Sequence, residues 1–183
     1  MNMKYEPMLS FLGEDTLRAH AEYLRGERLR HSIDEKSIAQ IKGRTPREIS
    51  SMNIKRSIRE EVVKRLVNIK LHDCYFASYT LTPAPCPLIK KHYSSENGFL
   101  YEAEELALSA DWGFLYVALD ERKVPRSYLS GSNPRTFIKD TPILALDLCE
   151  HAYFSDYSFD RKRYVRAALA HLDLSKLILD TKK

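Results

Sequence analysis

Residues 80–87, TLTPAPCP, place three prolines in eight positions. Proline fixes φ and lacks the backbone N–H, so no helix runs through this segment. It is read as a junction, 82–87, between an N-terminal unit, 1–81, and a C-terminal unit, 88–183. Before it the chain reads as helical. Leu17, His20, Ala21, Leu24 and Arg28 share one stripe of a helix that begins near Asp15 or Thr16. A second long helix is expected from about Pro46 or Asn53 to Ser78, with Ile58, Val62, Leu66 and Ile69 as its apolar stripe and His72 at the stripe's edge. Folded back as an antiparallel hairpin, the two helices each offer an inward histidine.

Beyond the junction the texture changes. A helical stretch near 88–109 gives way to WGFLYVAL (112–119), RSYL (126–129) and PILALDL (142–148), short apolar or alternating runs bounded by charged and Gly/Asn/Pro turn residues. These predict three strands. RKRYVRAALAHLDLSKLIL (161–179) returns to helical periodicity. The class is therefore α+β, a helical hairpin followed by a mixed domain.

Composition narrows the functional classes. With 183 residues, 44% of them hydrophobic, the chain can bury one substantial core or two small ones sharing an interface. No apolar run approaches the roughly 20 residues of a membrane span, and MNMKYEPMLSFLGEDT lacks the order of a signal peptide, so a cytoplasmic protein without membrane partners is expected. Cys74, Cys86 and Cys149 are odd in number and widely spaced, which suggests reduced thiols rather than a disulfide framework or zinc ribbon. The formal charge of +4 comes from basic residues interleaved with acids, as in RGERLR (25–30) and IKRSIREEVVKR (54–65). That pattern marks solvated helix faces rather than a nucleic-acid surface, while a mildly positive field favours encounter with a small anion.

Asp147 is the residue that demands a partner, because it closes an apolar run where a strand should be buried, and a buried unpaired carboxylate is expensive. His151 follows four residues later. Aspartate and histidine are both common ligands of transition metals. Spacing alone leaves other roles open: a histidine on a helix stripe can be a hydrogen-bonded core residue, and an aspartate after a strand can cap a turn.

The stretch 141–165 resembles the signature of the iron/manganese superoxide dismutases, D-x-W-E-H-A-Y followed by D-Y, an Arg and a Tyr. Asp147, Glu150, His151, Ala152, Tyr153, Asp156, Tyr157, Arg161 and Tyr164 stand in register with it. Upstream, DTLRAH (15–20) and NIKLHDCYF (68–76) resemble the segments that carry the family's first and second ligands. The resemblance implies a three-stranded antiparallel sheet in the C-terminal domain. It also implies one iron or manganese ion per subunit, held by His20, His72, Asp147 and His151, that converts superoxide to dioxygen and hydrogen peroxide. Tyr75, Phe76, Trp112 and Cys149 are expected to line the pocket. A homodimer is implied too, with Glu150 bridging to the metal-bound histidine of the second subunit.

The chain departs from the family around that site. Arg28 and Leu24 stand where the family has its gateway tyrosine and a histidine, Cys149 replaces a tryptophan, and Phe154 replaces a tyrosine that crosses the dimer interface. Asn68 stands where iron-type enzymes carry glutamine and manganese-type enzymes glycine, which tips the preference to iron. SGSNP (130–134) offers no replacement glutamine. Arg28 and Asn68 are thus the candidate catalytic residues beside the metal. Two alternatives stay open, a metal-binding protein of this fold without dismutase activity and a different metal-dependent oxidoreductase. His31 and His92 are expected at the surface, and His171 in packing.

Overall fold

The computed structural model describes residues 3–41, 58–130 and 141–180. A 3-10 segment, Met3–Ser10, leads into helix α1, Glu14–Ile41, and α2 follows at Ile58–Ala77. Two shorter helices, α3 at Pro87–His92 and α4 at Glu96–Leu108, precede the strands β1, Phe114–Leu119, β2, Pro125–Leu129, and β3, Leu144–Asp147. A 3-10 turn, Glu150–Ala152, is followed by α5, Phe154–Tyr157, α6, Arg161–Ala170, and α7, Lys176–Asp180. The fold is α+β, with an N-terminal helical region and a three-stranded antiparallel sheet in the C-terminal part. Among the described residues, no helix is long and apolar enough to cross a membrane.

The sheet order is β2-β1-β3. Its middle strand is the one whose sequence is a continuous apolar run, and Phe114 to Ala118 are all buried, since a central strand covered on both faces has no polar side to show. Gly113 opens it with φ near 97°, and a Cβ there would sit 2.6 Å from the Ser130 carbonyl oxygen, so only glycine passes. In the register between β1 and β3, Phe114 stands opposite Asp147.

The C-terminal end of α2 seals the outer edge of β3. Ser78 Oγ accepts the Ala145 N–H at 2.7 Å and donates to the Cys74 carbonyl, also at 2.7 Å, while the Tyr79 hydroxyl donates to the Ala145 carbonyl. This clamp joins the helix that carries His72 to the strand that carries Asp147. Ser78→Ala would strand the buried Ala145 N–H, and urea unfolding should register a loss of about 1–3 kcal/mol. A stability equal to wild type would show that the clamp is incidental.

Several boundaries differ from the sequence reading. The expected start of the second helix at Pro46 or Asn53 lies outside the described residues, as does most of the SGSNP segment. Within α2, Ile69 is buried but Leu66 is 37% exposed, so the apolar stripe weakens away from the sheet. The stretch 88–109 is two helices, because the Ser95 side chain accepts the Gly98 N–H and starts α4 afresh. The C-terminal helix also breaks, at His171. There the backbone pairs with α2's end through Thr80 N–H to the His171 carbonyl and Asp173 N–H to the Ser78 carbonyl.

Candidate metal centre

Four elements converge on one point. On α1 the buried stripe Leu17, His20, Leu24 follows the helical period, so His20 is directed inward with its side chain fully covered. On α2 His72 is equally buried, and its Nδ1 lies 2.8 Å from the Asn68 carbonyl. A carbonyl only accepts, so Nδ1 carries the proton and Nε2 is left with a free lone pair. Asp147 ends β3 at full burial, and its Oδ1 accepts the Cys149 N–H at 2.9 Å, which leaves Oδ2 pointing inward. His151, in the 3-10 turn after the strand, is the open member, with a side chain 37% exposed.

The Nε2 atoms of His20, His72 and His151 lie 3.2, 3.4 and 3.1 Å from Asp147 Oδ2. One donor atom from each of the four residues falls within 4.8 Å of the others. Donors about 2.1 Å from a single ion lie about 3.0 Å apart at right angles and about 3.6 Å apart at 120°, so the separations of the three imidazoles from Asp147 Oδ2 are those of neighbouring donors in a coordination shell. Asp147 Oδ2 and the Nε2 atoms of His20 and His72 are buried without a hydrogen-bond partner, an unusual concentration of orphaned polar atoms. Burial pushes His72 below the ordinary imidazole range despite the nearby carboxylate, which favours the neutral ring a metal needs. For Asp147 burial works the other way, yet the His151 and His20 side chains hold its carboxyl well below the usual carboxylate range. The donor set of three imidazoles and one carboxylate suits iron, manganese or zinc.

Aromatic rings wall the centre. Tyr75 and Phe76 lie against His20 at 5.1 and 5.0 Å between centroids, and Phe114 meets His72 edge to face at 4.9 Å. Trp112, expected in the lining, is 56% exposed, and Phe114, two residues on and inside β1, is the ring that abuts the site. Cys149 sits beside it, its Sγ accepting the Gly113 N–H. Burial raises the Cys149 thiol to about 12 and the Cys74 thiol to about 11. Thiolate is the reactive form, so in the metal-free protein at pH 8 both should alkylate at about a hundredth or less of a free thiol's rate. Mass spectrometry of an iodoacetamide time course would check this, and free-thiol rates would contradict it.

The residue over the site is neither Arg28 nor Leu24. Arg28 pairs with Asp73 across the hairpin, and Leu24 is core. Instead the Tyr23 ring packs on His151 at 4.7 Å and on His72 at 5.4 Å, 40% exposed, with its hydroxyl accepting from Asn68 Nδ2 at 3.3 Å. Asn68, expected as a candidate catalytic residue beside the metal, therefore gives its amide to Tyr23. Tyr23 stands three residues after His20, on the same helix face, and that spacing was the available signal. Glu150 is exposed, and Phe154 is exposed and meets Phe159 edge to face. His31 is mostly covered and pairs with Glu35 rather than lying free at the surface. His171 packs on Phe11, and His92 is exposed.

The family model described as iron/manganese superoxide dismutases, C-terminal domain, matches residues 86–177, half of the chain. The chain belongs to the iron/manganese superoxide dismutase family. This dismutase-family chain is 34% identical over 87 residues to the chloroplastic iron superoxide dismutase 2 of Oryza sativa subsp. japonica, covering 46% of this chain and 34% of that protein. It is 32% identical over 88 residues to the chloroplastic iron superoxide dismutase 3 of Arabidopsis thaliana, covering 46% of this chain and 33% of that one. The match thus spans about a third of the length of these curated relatives. Its family-model region holds Asp147 and His151, whereas His20 and His72 lie upstream of it.

Proposed function

We propose that this protein is a superoxide dismutase with one iron ion per chain, manganese being the alternative, held by His20, His72, Asp147 and His151. The observation that carries the reading is the convergence of three imidazole Nε2 atoms on one buried carboxylate oxygen. The bound ion supplies one-electron redox chemistry. The chain supplies the rest. Tyr23 covers the opening, and because its oxygen accepts from Asn68, its own proton is free to be offered to an entering anion. Burial, opposed by Asn68 and aided by Glu27, raises the phenol above its ordinary value, so it stays protonated at neutral pH. The net charge of +4 favours arrival of superoxide. A homodimer that covers Glu150 and the open side of His151 belongs to the same proposal, since a half-exposed ligand is otherwise accessible to water.

Superoxide consumption by the iron-loaded protein, set against the same concentration of free iron, tests the activity. Consumption well above free iron is expected, and none above it from a fully loaded sample would leave a metal-binding protein without dismutase activity. Tyr23→Phe should retain the metal and lower turnover by about 2- to 10-fold, the worth of one hydrogen bond that water can partly replace. An unchanged rate would remove Tyr23 from the reaction.

A further inference from the structure

The seam between α1 and α2 is built in successive turns. The His20 and His72 rings meet edge to face at 5.0 Å, and one turn outward Tyr23 meets Asn68. The next turn is charged. Arg65 Nη1 donates to both carboxylate oxygens of Glu27 at 3.3 Å, and its Nε donates to Asp34 at 3.0 Å. Arg30 adds a further hydrogen bond to Glu27 at 2.8 Å. The Glu27 side chain is only 9% exposed and that of Arg65 20%.

A charged layer is a poor source of stability at such a seam, because desolvation offsets the attraction, and apolar residues of the same volume often hold two helices as well or better. It is an effective source of register. Apolar contacts such as those of Leu24 and Ile69 survive a slide of one turn, about 5.4 Å, whereas a guanidinium fork that spans Glu27 and Asp34 does not. Metal donors, whose distances to an ion must hold to within about 0.2 Å, tolerate little sliding. The α2–β3 clamp places His72 against Asp147, and the turn after β3 places His151, but His20 comes from α1 and needs its own alignment.

We propose that Glu27 and Arg65 form a register key for the hairpin, a positioning pair that sets His20 opposite His72 for metal capture. This rests on the metal-centre reading above. Neither side chain is one of the four donors, so the pair acts through helix alignment.

The test replaces the Glu27–Arg65 pair with apolar residues of similar length, E27M together with R65M, leaving the partly exposed Asp34 and Arg30 to solvent, and measures two quantities, the thermal midpoint of the metal-free protein and its affinity for Co(II). The midpoint is expected to hold or rise while affinity falls by roughly 10- to 100-fold, as for other residues that orient ligands from outside the shell. Unchanged affinity overturns the proposal, and so does a parallel fall in midpoint and affinity, which a merely structural pair would give. R65K covers the case in which the double variant does not fold: a lysine keeps the charge but not the fork, so affinity should fall by a smaller factor at an unchanged midpoint. Full affinity in R65K overturns the proposal. Wild-type protein that takes up no Co(II) would instead bring down the metal-centre reading and this proposal with it, whereas wild-type binding matched by the double variant would remove the register key alone.

Discussion

Asp147→Asn is expected to abolish tight metal binding while leaving the metal-free fold close to wild type. The asparagine keeps the shape and can still accept the Cys149 N–H through its carbonyl oxygen. What it loses is the anionic oxygen at the focus of the three imidazoles, where an amide would offer N–H groups or a weaker neutral oxygen. In the metal-free protein the asparagine gives up the attraction of His151 and His20 that holds the carboxyl low and also lifts the cost of burying a charge, and the two effects offset. The contrast is read most clearly as linkage. Metal at 100 times its dissociation constant should stabilise wild type by about 2.7 kcal/mol, and thermal unfolding of Asp147→Asn should not shift with added metal. A metal-dependent shift equal to wild type would mean that the ion binds elsewhere.

Tyr75→Ala should be among the most destabilising single substitutions near the site, whereas Tyr75→Phe should be mild. The ring is fully buried between His20, Phe76 and Tyr79, at centroid distances of 5.1 to 5.5 Å. Removing it leaves a cavity under His20, and losses of about 3–5 kcal/mol follow from comparable aromatic truncations. The hydroxyl matters less. Tyr164 donates its proton to the Asp147 carbonyl at 2.8 Å, so Tyr75 is the donor in the 3.3 Å contact between the two hydroxyls. Phenylalanine forfeits that one hydrogen bond, about 1 kcal/mol, and leaves Tyr164 in place. Chemical denaturation of both variants checks the pair, and similar losses from the two would assign the effect to the hydroxyl instead of the ring.

The features legible in the sequence were those that a local period imposes. The stripe of α1 aimed His20 inward, the apolar run within 112–119 marked a strand, and an aspartate closing the apolar run at 142–146 needed a partner. Where tertiary contacts overrode the period, the reading slipped. Leu172 and Leu174 continue a helical pattern, yet pairing with the end of α2 takes the chain out of the helix. The residue above the site was missed for a different reason. Carrying the family's positions across pointed to Arg28 and Leu24, while the helix geometry alone would have placed Tyr23 beside His20. The family resemblance likewise makes Trp112 a wall of the pocket, but the strand begins two residues later and turns Phe114 inward. A family signature transfers ligands better than it transfers the residues around them, since ligands must meet at a point and a surrounding role can be filled from another turn of the same helix.

The central claim is that His20, His72, Asp147 and His151 hold one ion. X-ray absorption at the iron edge of the reconstituted protein tests it most directly, with His72→Ala measured alongside. One iron per chain with nitrogen and oxygen donors about 2.0–2.2 Å away is predicted, with imidazole scattering that weakens in the variant. A shell without imidazole, or one that His72→Ala leaves unchanged, would contradict the claim.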